Sequence, residues 1–320
     1  MSPRSTRRLA MALGAVVLVA LLLIAARQID ADRALIELRT VHTPWLVAAF
    51  GCYLAILPLW ALEWRTLSPP ADRNTFVHQL RVVSVTSSTL NTTAFLVGEA
   101  AGVLLLVTQI GLTRSAALSV MAMDQLLVGV AKLAVLALGA LTLTLPGWMS
   151  AGVMALGAGV FALLLGCLLA AWNPESIGRR AAGVLPAGIA SALGGMARAL
   201  APIRSPSRAG GALFLALAKK AVEVLAIVCV QRAFGVSLPL ASGVLVLAAL
   251  NLATLLPLVP GNLGIYEGAV ALTYNYLGLG AEQAVGMAVV QHVCYFAALA
   301  LPGYLFLAAS GASRTATAAP

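Results

Sequence analysis

Apolar residues run along this chain in blocks of about 18 or more, separated by short polar segments, a pattern that predicts helices crossing or entering a bilayer. The first block, Leu9–Ala26, follows Arg4, Arg7 and Arg8. A helix of that length spans about 27 Å, close to the hydrocarbon thickness and longer than a signal-peptide core. It is expected to be a retained anchor with a cytoplasmic N-terminus, in the cell (inner) membrane. The later blocks are Pro44–Leu62, Val82–Ile110, Ser115–Leu145, Met149–Ala171, Ala212–Val230, Leu240–Leu256, Ile265–Leu277 and Ala284–Ala309. Together they predict an all-α, polytopic membrane bundle of about 7–9 segments. Its parts would be a basic N-terminus at 1–8, one membrane domain over 9–309 with an interfacial basic loop at 172–211, and a flexible tail at 310–320.

Two of these blocks are not plain helices. Leu255–Gly268, read LLPLVPGNLGIYEG, crowds Pro257, Pro260, Gly261 and Gly264 into eight positions. Proline removes a backbone donor and glycine raises the cost of a helix, so the chain is expected to break here. Inside a bilayer, broken backbone is tolerated only where protein buries it or a wet cavity receives it. A helix should restart after Asn262 or Gly264 with Glu267 in its first turn, presenting unpaired N–H groups to an anionic ligand. The other interrupted block opens with SVTSSTLNTT and then Gly98-Glu99. It reads as a long tilted helix or as a re-entrant hairpin, and the positive-inside bias of the arginine-rich loop at 172–211 favours the hairpin. In that loop Leu185, Ile189, Leu193, Met196 and Leu200 recur at helical spacing, as in a helix lying in the interface.

Composition sharpens the picture. The chain is 61% hydrophobic and 10% charged, with a mean hydropathy of +0.97, which leaves too little polar surface for a soluble protein of 320 residues. The net charge of +9 sits between the apolar blocks, where Lys and Arg meet anionic lipid headgroups, and no aromatic and basic pattern of a nucleic-acid reader accompanies it. Cys52, Cys167, Cys229 and Cys294 are far apart and read as buried free thiols, and His42, His78 and His292 do not cluster, so no metal or cofactor is expected. Glu63, Trp64 and Arg65 close the second block as an interfacial group.

Charges within apolar blocks are costly and call for a reason. Glu99, Asp124, Lys132, Lys219, Lys220, Glu223 and Glu267 qualify. Lys219 and Glu223 stand at i,i+4 and could neutralise each other, or the lysine pair could snorkel to the interface. Asp124 has no basic neighbour on its own helix and is expected to find one elsewhere. Asp124 follows Glu99 by 25 positions, as His292 follows Glu267, an echo that, with one interrupted segment per half, points to inverted repeats about a central site.

With Asn91, Gly98 and Glu99 in the first half, Asp124 on the next block, the basic loop and LLPLVPGNLGIYEGA, the chain resembles the transmembrane, flippase-like family of lysylphosphatidylglycerol synthases over roughly 81–306. The central element is similar to that family's P-x-PGGxGxxE. The chain departs from the family in lacking the arginine usual after Gly-Glu and before Asp124, in carrying His292 where arginine is common, and in Asn262 replacing a glycine. The resemblance implies a multi-pass protein handling lipids, near the branch associated with hopanoid biosynthesis. The family's soluble aminoacyltransferase is not expected after Ala309, where eleven small, mostly uncharged residues follow, so lysine transfer is not implied.

The expected function is movement of a lipid or lipid-linked amphiphile between leaflets, with Glu99 and Glu267 trading protons or pairing with Lys132 or Lys219. Site candidates are Asn91, Gly98, Glu99, Asp124, Lys132, Lys219, Pro260, Gly261, Asn262, Gly264, Glu267 and His292. Two alternatives stand beside it: a non-catalytic partner of an envelope-lipid synthesis enzyme, and a small-solute transporter. No hydrolase, metalloprotease or phosphate-loop motif suggests an enzyme.

Overall fold

The long helices form where the apolar blocks predict them. α1 (Thr43–Leu67) holds Pro44 in its first turn, where a missing N–H costs nothing. α2 (Phe76–Thr92) is capped by Thr75, and α4 (Arg114–Thr142) by Thr113, each hydroxyl accepting an N–H of the first turn. α3 (Phe95–Leu105) continues into a π turn at Leu106–Ile110 that stops at Gly111. α5 is Met149–Trp172, α6 Pro206–Ala233, α7 Leu240–Ala253, α8 Ile265–Tyr276 and α9 Ala281–Thr317. The computed structural model describes residues 41–93, 95–144, 147, 149–172, 205–255 and 259–317. The anchor at Leu9–Ala26, Pro257 and the helix read at Leu185–Leu200 lie outside them. Among the described residues there are nine α-helices and no strand; α1, α4 and the Ala281–Ala309 part of α9 are long and apolar enough to cross a membrane. Helix α9 runs on through Thr317, into the segment read as a tail.

The helices fall into two halves with one plan: long, short, break, short, long. In the first these are α1, α2, α3 and α4; in the second, α6, α7, α8 and α9. Packing repeats with the halves exchanged. α2 lies on α9 as α7 lies on α4, α1 on α9 as α6 on α4, and α3 on α4 as α8 on α9. α1 and α6 pack on each other and run antiparallel, since His42 N–H bonds the Ala233 carbonyl at 2.8 Å while Lys219 meets Glu63. A two-fold operation that swaps antiparallel neighbours has its axis across the helices, hence in the plane of the membrane. This is an inverted repeat. α5 stands outside it, against α4 and α7.

The first break is a hairpin. A Cβ on Gly98 would meet Leu90, and one on Gly102 would meet Thr86, so α3 returns antiparallel along α2. α2 carries its hydroxyls by bonding them to the carbonyl four residues back: Thr86 to Val82 and Thr89 to Val85 at 2.8 Å, Thr92 to Ser88 at 2.7 Å. Ser88 also donates to the Ala300 carbonyl of α9, where Gly303 leaves room for α2.

Candidate functional site

The second break fixes the site's floor. Its backbone turns left-handed at Gly261 (φ 64°), Asn262 (φ 53°) and Gly264 (φ 81°). A Cβ on Gly261 would come within 2.9 Å of the Asn91 carbonyl, so glycine lets the two breaks meet. α8 then starts at Gly264, whose N–H donates to Glu267 Oε2 at 2.7 Å. The helix start and its first-turn carboxylate are as the sequence suggests, but Glu267 is spent on the chain's own N–H.

Between the breaks lies a cavity of about 340 Å³ walled by both halves. Of the site candidates read from sequence, Asn91, Lys132, Lys219, Gly261 and Asn262 line it. Gln125, Lys220, Glu223, Asn251, Tyr53 and Tyr266 line it as well. Tyr53 Oη, Ser87 Oγ, Asn251 Nδ2 and Asn262 Oδ1 are buried at this wall without a hydrogen-bond partner in the protein. Buried polar atoms are seldom left so, and four around one cavity mark it as a place for polar guests.

The charges facing the cavity are unequal. Lys220 is paired with Glu223 at 2.7 Å, and Lys219 lies 2.5 Å from Glu63 Oε2. Lys132 has no carboxylate within salt-bridge distance among the described residues. These pairings correct three sequence readings. Glu223 pairs with Lys220 rather than Lys219, because the i,i+3 side chain is the one turned to it. Lys219 does not snorkel: it points inward to Glu63, which is itself 0% exposed with Trp64 and is no interfacial group. The contact is close but poorly aligned, since neither Glu63 oxygen accepts a well-directed hydrogen bond.

Asp124 finds its partners on other helices, as expected. Its Oδ1 accepts both indole N–H groups of Trp60 and Trp64, at 2.8 and 2.9 Å, and Lys219 lies 3.8 Å away. It sits behind the cavity wall. The echo of the two halves is real but shifted by one residue: His292 Nδ1 meets Glu267 Oε1 at 2.8 Å, and in the first half Gln125, not Asp124, donates to Glu99 at 3.1 Å. Asp124 instead faces α1. Tyr266 stacks flat on His292 at 4.1 Å, so the His292–Glu267 pair stands one layer behind the cavity. Gly98 serves the α2–α3 contact, Pro260 is exposed and Gly264 caps α8.

Sequence reasoning missed Trp60, Gln125, Asn251 and Tyr266. A lone amide inside the apolar run of α7 was a signal for Asn251. Trp60 and Trp64 one turn apart around Glu63 were a signal for the Asp124 seat. The described residues hold no cluster of three or more His, Cys, Asp or Glu able to bind a metal; Cys52, Cys229 and Cys294 are free, half-buried thiols.

A helical membrane protein with a polar cavity between inverted halves is the class that this geometry defines. The chain matches the model of the lysylphosphatidylglycerol synthase transmembrane region over residues 11–303 and belongs to that family, which points to a membrane lipid-related function. No curated protein and no solved structure matches it.

Proposed function

We propose that the protein carries an amphiphile between the two leaflets, with the headgroup in the cavity and the acyl chains in the surrounding lipid. The supporting observation is the cavity itself: both breaks bound it, and it holds Lys132 and four unpartnered polar atoms within otherwise apolar helices. A headgroup crossing hydrocarbon unaided loses its hydration, at a cost of several kcal/mol, and a polar cavity replaces part of that hydration. An inverted repeat supports a carrier further, because its two halves offer related structures opening to opposite sides. The reading assigns no chemical step, so the protein acts as a carrier rather than an enzyme.

The test is lipid movement in proteoliposomes, read by leaflet-specific quenching of a fluorescent phospholipid. Lys132→Met and Asn262→Leu should each slow it several-fold with the protein still folded. Movement at the wild-type rate in both would remove the cavity from the account.

A further inference from the structure

Lys219 stands between the cavity and buried acid that the cavity does not touch. Its side chain lines the wall, while its ammonium lies 2.5 Å from Glu63 and 3.8 Å from Asp124. Glu63 is 0% exposed and Asp124 1%, so two carboxylates share one ammonium away from water. Ionised together, they leave a negative charge unbalanced in a medium that screens poorly, which is expensive. Asp124 is provided for by two indole donors. Glu63 is not, since neither of its oxygens accepts an aligned hydrogen bond. Of the two, Glu63, held by Lys219 alone, is the carboxylate that takes up a proton from water at less cost.

The other charged groups near this pocket are already committed. On α6, Lys220 is tied to Glu223; on α3, Glu99 accepts from Gln125; on α9, His292 is tied to Glu267. Lys132 of α4 faces the cavity, and the buried polar residues of α2, Gln79, Ser84, Thr86, Ser87 and Ser88, do not titrate.

We propose that Glu63, Lys219 and Asp124 form a proton site linked to anion binding in the cavity. A proton from water settles on the Glu63 carboxylate and cancels its hold on Lys219. The freed ammonium turns to the cavity and, beside Lys132, receives the anionic group of the amphiphile. When the anion leaves, Lys219 returns to Glu63 and the proton goes back to water. One proton is bound per anion, with no further reactant. This rests on the reading that the cavity receives a headgroup, and it names that headgroup's class: anionic, taken up together with a proton.

Linkage fixes the sign. Protonation makes Lys219 available, so anion affinity is higher in acid and falls as pH rises, by up to about tenfold per pH unit where one proton is coupled. The measurement is calorimetric titration of the full chain in detergent with dihexanoylphosphatidylglycerol, repeated in two buffers of different ionisation enthalpy to count protons. Glycerol 3-phosphate serves as a second probe, separating a lipid headgroup from a soluble ester. Wild type should take up close to one proton per bound lipid and show the pH slope. Glu63→Gln should bind without proton uptake and with flat affinity. Wild-type binding without proton uptake, or a slope that survives in Glu63→Gln, would overturn the proton site and leave the carrier reading standing. Binding of neither probe to wild type would overturn both. Binding of glycerol 3-phosphate as tightly as the lipid would keep the proton site and assign the cavity to soluble anions.

Discussion

In the first half of the molecule, the helix after the break is tied to the long helix behind it by an amide, Gln125 donating to Glu99 at 3.1 Å. In the second, the same tie is an imidazole on a carboxylate, His292 with Glu267 at 2.8 Å. The positions correspond under the two-fold exchange, yet the chemistry differs. So do the breaks: α2 ends at Thr92 and α3 starts at Phe95, whereas α7 ends at Ala253 and α8 starts only at Ile265, after a 3-10 turn at Pro260–Asn262. The longer break needs left-handed backbone at Gly261, Asn262 and Gly264, and Glu267 serves both the tie and the start of α8. Repetition of the fold thus fixes where a tie is needed, and the demand made on each break fixes how strong it must be.

Substitutions in matched pairs would break or sharpen this contrast. The largest effect is expected at Asp124, which corresponds to Gln291 in the other half. Asp124→Ala strands the indole donors of Trp60 and Trp64, each at a cost of about 1–3 kcal/mol, and should cost about 2–5 kcal/mol in all. Gln291 bonds the Tyr266 hydroxyl at 2.9 Å, and Gln291→Ala should cost only about 1–3 kcal/mol. Denaturation of the purified protein measures both, and equal losses would remove the distinction between the halves. Next comes Gly261→Leu, which forces a side chain into a left-handed residue and against the Asn91 carbonyl. It should cost about 1–3 kcal/mol and bring lipid movement near background, whereas Gly98→Ala, which meets the Leu90 Cα at 2.8 Å but without left-handed backbone, should disturb the α2–α3 contact and slow movement less.

Smaller again is the contrast between the ties. Glu267→Gln weakens a charge-assisted pair and a helix cap, and should cost about 1–2 kcal/mol, against about 0.5–1 for Glu99→Gln. Thermal unfolding in detergent would show whether that order holds. The smallest effect is expected at Gly159 on α5, outside the repeat, where an added Cβ meets nothing within 4 Å. Gly159→Ala should stabilise by up to about 1 kcal/mol through helix propensity and leave transport unchanged.

The breaks were legible in sequence because proline, glycine and hydroxyl-rich stretches disturb an apolar run locally. The start of α8 with Glu267 in its first turn follows from such local signals, whereas the choice of a hairpin over one long helix between α2 and α3 needed the charge of the distant loop at 172–211. The antiparallel meeting of α1 with α6 was not legible. It alone brings Glu63 to Lys219, two residues 156 positions apart, and no local period announces it. Reading Glu63 as interfacial followed from its place near the end of an apolar run, but α1 continues past it to Leu67 and turns that face inward. The echo at 25 residues was visible, and its assignment to Asp124 failed by one position because a one-residue step on a helix turns a side chain about 100°.

The central claim is that a wet, charge-lined cavity lies between the two breaks, and cysteine accessibility tests it most directly. With the four native cysteines replaced by serine, single cysteines would be placed at Asn91 and Asn262 on the cavity, and at Leu272 on the exposed apolar face of α8. In membranes, the two cavity positions should react with a water-soluble thiol reagent and be protected by a short-chain anionic lipid, while position 272 stays unlabelled. Unreactive thiols at both cavity positions, or labelling there that no lipid alters, would contradict the account.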